Sequence, residues 1–329
     1  MMSSDLNQFK QAAEAFQFNG RLFFNPEQKI TFARSPGRLD VMGGIADYSG
    51  SLVLEMSIAE ATFAAIQTHS EPALEIISQR EDGDSYFQMP LAAFGTAHRP
   101  IPYVDGAAYF QKDPENRWAS YVAGVFLVLM REKEATFSHG AKILIRSDVP
   151  EGKGVSSSAA IEVATMLAIA KAYSIDLDPI ETAILSQMVE NKVAGAPCGI
   201  MDQMTVVNGR KGQLMALLCQ PATIEGYVDI PANFAFWGID SGIRHAVSGA
   251  DYGSVRVGAF MGLKILQSLG YKGDYLANLA PSEFEQHYRN KLPESLEGAD
   301  FLEQYGELPD TVTTVEPERV YWMLAVWKT

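Results

Sequence analysis

Apolar residues recur along this chain with two periods, and the period changes where Gly and Pro cluster. Over residues 5–18, Leu6, Phe9, Ala12, Ala13 and Phe16 keep helical spacing and predict an amphipathic helix. Short apolar runs follow. Residues 30–33, 51–58 (SLVLEMSI), 73–77 and 86–89 read as strands, and 59–67 reads as strand or short helix. Residues 34–50 are rich in Gly and polar groups and read as loop, and 111–116 as a polar turn. The first long helix spans 118–133 and is apolar on most faces, which predicts burial. A strand at 141–145, an Ala-rich helix at 159–173 and a helix at 178–193, started by Asp178 and Pro179, come next. Residues 195–204 read as a fixed loop, 212–218 and 235–240 as strands, 241–245 as a turn and 253–269 as a helix. Several short strands before the first long helix predict an α+β fold.

The tail departs from this pattern. Residues 294–318 hold eight acids and no Lys or Arg, the mark of a solvated surface. Residues 320–327 (VYWMLAVW) are nearly all apolar and need cover, by self-association or by a partner.

Composition narrows the function. At 329 residues there is room for two domains, divided here at 215/216. A net charge of −14 argues against nucleic acid and repels nucleotides at long range, so a phosphate ligand needs strong local help. Two cysteines, Cys198 and Cys219, argue against a disulfide framework and for a reducing compartment. Residues 1–18 show no leader pattern, and the longest apolar run, 121–130, is about half a membrane span. A cytoplasmic protein without membrane attachment is expected.

The local help lies in one stretch. Val149-Pro150-Glu151-Gly152-Lys153-Gly154-Val155-Ser156-Ser157-Ser158-Ala159-Ala160 joins the strand at 141–145 to the helix at 159–173. Gly152 and Gly154 permit left-handed backbone, and Ser156 to Ser158 fall where a helix start leaves amides unpaired. Two readings stand: a Gly turn with a Ser N-cap, or an anion site of amides, dipole and hydroxyls. The stretch lacks the Gly-Lys-Ser/Thr of a Walker A loop and the third Gly of a dinucleotide fingerprint. Elsewhere Arg38 and Asp47 are charged positions within 34–50, each explicable as a surface ion pair. Asp202, flanked by Ile200, Met201 and Met204, is either exposed at a helix start or held in a cleft by a partner.

Taken together, these stretches resemble the GHMP kinases, and within them galactokinase and its L-arabinokinase relatives. Residues 150–159 match the family's Pro-x-Gly-x-Gly-Leu-Ser-Ser-Ser-Ala loop, with Val155 for Leu. Residues 35–50 match the galactokinase signature, 198–203 the catalytic-Asp loop, and 239–252 (IDSGIRHAVSGADY) a later segment.

The resemblance implies a two-domain fold, with a first domain like domain 2 of ribosomal protein S5 and an incomplete ferredoxin-like second. It implies ATP and Mg2+ as cofactors and a sugar as substrate. Pro150, Gly152, Lys153, Gly154, Val155, Ser156, Ser157 and Ser158 would hold the nucleotide, and Ser158 and Glu190 the Mg2+. Asp202 and Arg38 would be catalytic. Asp47, Gly199, Tyr252, Gly44 and Ile45 would line the sugar.

Two departures shape the expectation. Galactokinases have Gly-Glu-His-Thr-Asp-Tyr where this chain has Gly43-Gly44-Ile45-Ala46-Asp47-Tyr48. The polar partners of the sugar's 6-hydroxymethyl end are thereby gone, at about 1–3 kcal/mol for a buried unsatisfied group. L-arabinose lacks that carbon, so it is the expected acceptor, with galactose or galacturonate as rivals. The family's third motif, a Gly-rich loop near the C-terminus, is missing after Gly253. Expectations are therefore an active sugar 1-kinase, a shortened chain, or an inactive sugar- and ATP-binding relative.

Overall fold

In a computed structural model the described residues are 4–80, 83–96, 98–242 and 250–323, with backbone only for 250–252. Helix α1 (Ser4–Glu14) leads into a twelve-residue strand β1 (Thr31–Met42) and an eighteen-residue strand β2 (Leu52–His69). Then come β3 (Ala73–Gln79), β4 (Ser85–Pro90), α2 (Tyr103–Gln111), α3 (Ser120–Glu132), β5 (Gly140–Ser147) and α4 (Ser157–Ala172). Helices α5 (Pro179–Val189) and α6 (Met201–Asn208) precede the hairpin β6 (Gln213–Leu218) and β7 (Thr223–Asp229).

These strands make one sheet in the order β7-β6-β2-β5-β3-β4, with β1 along β2. All pairs are antiparallel except β3 with β5. The period of two in β2 explains its layers. Ala64 and Ile66 face a core shared with Phe126, Ile143 and Ile169 of the helical layer. Phe63 and Ala65 face the opposite side, where Phe9 of α1 and Leu144 pack.

The predicted loop at 34–50 is strand through Met42. Its Pro and Gly concealed this, yet β1 lies at the side of β2, where a missing N–H on the outer edge costs no ladder bond. The runs at 51–58 and 59–67 form the single strand β2. Residues 235–240, expected as a strand, have no regular structure. β6 and β7 belong to the large sheet, so a boundary at 215 falls inside β6.

The remainder is α7 (Ala250–Ser268), α8 (Pro281–His287), β8 (Ser295–Glu297), α9 (Gly298–Tyr305) and β9 (Val320–Trp322). Of the expected ferredoxin-like second part, the described residues hold these helices and the two-stranded pair β8–β9. Phe301, Tyr321 and Met323 are buried in its core, joined by Tyr48 from the first unit. The acidic stretch at 294–318 therefore carries structure as well as charge. Residues 324–327 of the apolar end lie outside the described residues. No described helix is long and apolar enough to cross a membrane.

Candidate active site

β1 carries Arg38 inward, where it is buried. Its Nε donates to Asp202 Oδ1 at 3.0 Å, its Nη2 donates to the same oxygen, and its Nη1 donates to the Gly154 carbonyl at 3.0 Å. The Arg38 amide donates to the Val155 carbonyl at 3.1 Å. One guanidinium thus ties the Gly/Ser loop to the acid of a later helix. Asp202 does lie in the first turn of α6, but it is half-buried and held by a cationic partner rather than exposed. Burial works against the Arg38 charge, but Asp202 and Glu55 outweigh it and raise its pKa.

The loop is shaped as an anion cradle. Gly152, Gly154 and Ser156 have φ of +68°, +70° and +59°. Ser156 is the N-cap of α4 yet makes no capping bond, and its buried Oγ has no hydrogen-bond partner. Ser156 therefore takes the expected N-cap position without supplying a capping bond, its backbone being left-handed where a capping residue is extended. The N-cap side chain thus leaves the first amides of a sixteen-residue helix uncapped, as an anion site requires. Lys153 pairs with Asp240 at 2.7 Å. Pro150 is exposed at the loop's start.

Beside the loop, α5 widens into a π turn, Glu190–Ala194, and places Glu190 inside. Gln203 Nε2 donates to Glu190 at 2.7 Å and to Glu162 at 3.1 Å. Burial, with the Asp202 charge, pushes Glu190 up to about 7 against a hydrogen bond from Ser158. Burial, then Glu190, raises Glu162 well above the carboxylate range. Ser157, Ser158 and Glu190 line a cavity of about 250 Å³ whose far wall includes Trp118 and Tyr121. Ser158 and Glu190 present two oxygen donors already in contact, which fits a Mg2+ that keeps several waters.

A second cavity, of about 370 Å³, opens between the sheet unit and the C-terminal helices and is lined by Asp47, Gly199, Arg256, Phe260 and Tyr275. A Cβ on Gly199 would overlap the Asp47 carboxylate, so the two positions are matched. Burial and the Asp202 charge push Asp47 up to about 7. Gly44 and Ile45 do not line this cavity. Gly44 is exposed at φ +60°, and its N–H donates to Asp40 at 2.6 Å. Ile45 follows Tyr48 into the second core, as its apolar side chain requires. The side chain of Tyr252 lies outside the described residues, as do 243–249.

The motif residues Arg38, Gly154, Asp202, Ser158 and Glu190 thus converge from four distant stretches. Residues 120–210 match the GHMP kinases N terminal domain, and residues 21–68 match the galactokinase galactose-binding signature. The chain carries a GHMP kinases N terminal domain. The chain is 44% identical to an L-arabinokinase of Arabidopsis thaliana over 91% of its own length and 34% of that protein's. It is 29% identical to a galactokinase of Chloroflexus aggregans, over 84% of this chain and 65% of that one. It spans about a third of the first relative and about two thirds of the second. The fold is that of the galactose-bound Lactococcus lactis galactokinase, at a TM-score of 0.68 and 20% identity, over 89% of this chain and 69% of that one.

Four residues in or beside the site escaped the sequence reading: Glu55, Glu162, Gln203 and Arg256. Glu55 and Glu162 did leave a signal: Glu55 is the lone acid of the apolar run 51–58, and Glu162 the lone acid of α4.

Proposed function

We propose that this chain is an ATP-dependent sugar 1-kinase acting on L-arabinose or a closely related galactose-configured sugar. The observation that carries the reading is the Arg38 guanidinium, bonded at once to the Gly154 carbonyl and to Asp202. It sets the acid at the end of the anion cradle, where an acceptor hydroxyl must meet a phosphoryl group.

The geometry supports the following roles. The amides after Ser156, with its unpartnered hydroxyl, take the phosphates. Ser158 and Glu190 hold Mg2+, which when bound offsets charge on the transferring group. Trp118 and Tyr121 offer rings to the base. Asp47 and Gly199 bind the sugar. Both Arg38 bonds land on Asp202 Oδ1, which leaves Oδ2 for the anomeric hydroxyl. Asp202 aligns that oxygen and takes its proton as the sugar O–P bond forms and the β,γ-bridging bond breaks. The transition state is loose, so alignment and charge matter more than basicity. The identity to an L-arabinokinase favours the pentose.

Initial rates of ATP consumption with L-arabinose, galactose and galacturonate test this. L-arabinose is expected to be fastest, and a preference for galactose contradicts the pentose assignment. Ligand-induced melting shifts with no turnover assign binding without transfer.

A further inference from the structure

We propose that Glu55, sharing a proton with Asp40, is a positioning residue that sets how Arg38 is held against Asp202. The proposal rests on the kinase reading for its consequence in turnover, but its structural basis is separate.

Asp40 and Glu55 are directly opposed across β1 and β2. Two like charges at such a position destabilise a sheet. Glu55 is fully buried, and neither of its oxygens receives a hydrogen bond; nor does Asp40 Oδ1. Both Glu55 Oε1 and Asp40 Oδ1 lie against Gly43, 2.8 and 3.0 Å from where its Cβ would be. Two apposed acceptors without a donor, in a place water does not reach, call for one proton between them. The other Asp40 oxygen accepts from the Gly44 N–H.

Arg38 lies on the same face of β1, two residues from Asp40, with its Nε 3.2 Å from Glu55 Oε2 and 3.0 Å from Asp202 Oδ1. The same N–H therefore stands between two carboxyl groups. With Glu55 protonated and donating to Asp40, the guanidinium belongs to Asp202 and Gly154. With Glu55 ionised, it is drawn back toward the sheet. The titratable groups facing Glu55 are Arg38 and Asp40 from β1, Asp202 from α6 and Cys219 after β6. Burial first, then Asp40, pushes Glu55 up to about 9 against the pull of Arg38, so the protonated arrangement prevails at neutral pH.

The test reads the Arg38 Nε–H resonance against pH, together with the pH profile of kcat. In the unsubstituted protein the resonance moves with a midpoint near pH 9, and kcat falls on its alkaline side with the same midpoint. Glu55→Gln, whose amide still donates to Asp40, removes both movements. Asp40→Asn lowers the midpoint by at least about one unit, because it takes away a neighbouring charge. Glu55→Met lowers kcat about tenfold with KM for ATP within about twofold, as expected for lost alignment. An Nε–H resonance that titrates alike in unsubstituted protein and Glu55→Gln, or in neither, overturns the proposal. That arm needs no turnover, so it decides the carboxyl pair even where the kinase reading fails.

Discussion

A methyl group on Gly199 would overlap Asp47 Oδ2, so this glycine reserves space for a carboxylate rather than for a turn. Gly199→Ala is expected to displace Asp47, cost about 1–3 kcal/mol by overpacking, and raise the sugar KM at least about tenfold. Sugar titrations and denaturant melts check both. Asp47 also carries a pH signature. Its folded pKa, about 7, lies above the ordinary carboxylate value of 3.8 that holds in the unfolded chain. Its contribution is therefore fully present below pH ~4 and lost as pH rises through 7. Asp47→Asn should melt higher than the unsubstituted protein at pH 8, by on the order of 2 kcal/mol, and the gap should close at pH 4. Loss of sugar binding in the same variant would mark a site held at a cost in stability.

Among the elements, β1 and the loop before α4 are coupled through Gly37. Its Cβ would sit 2.9 Å from Ile58, Val149 and the Val155 carbonyl. Gly37→Ala should push the loop off β1 and weaken nucleotide binding, read as a smaller ATP-induced melting shift. The loop itself was legible in the sequence, because Gly, Gly and three Ser before an Ala-rich run have few other uses. So was α4, whose assigned bounds differ from the structure by a residue or two. β1 was not legible: Pro36 and Gly37 suggest a loop, and only pairing with the long β2 shows that an edge strand tolerates them. The π turn that brings Glu190 inside leaves no local signal, since its widening arises from packing. Gly44 and Ile45 are placed differently from the motif's expectation. The motif placed both at the sugar, but an isoleucine beside an apolar core goes to that core.

For the whole molecule, the join between the sheet unit and the C-terminal helices depends on Arg256. Its guanidinium is forked onto Asp310 with both bonds at 2.8 Å, donates to the Cys198 carbonyl at 2.8 Å, and lies near the rings of Tyr48 and Phe260. The Asp310 side chain is only 3% exposed. Arg256→Leu would leave that acid buried without its cation, at about 3–5 kcal/mol, and release the backbone that carries Gly199. A fall in stability with a parallel loss of sugar affinity is expected, measured by denaturant unfolding and sugar titration. The net charge of −14 acts at this scale too. In the proposed kinase a nucleotide would approach against it, so short-range amides and Mg2+ would have to do the holding.

The account depends most on Arg38 bringing loop and acid together at one reaction centre. The direct test is 31P NMR of the protein with L-arabinose and MgATP, run beside Asp202→Ala. A sugar 1-phosphate should form, at least about 100-fold more slowly in the variant. Equal rates in the two proteins, or phosphate on a hydroxyl other than the anomeric one, would contradict it.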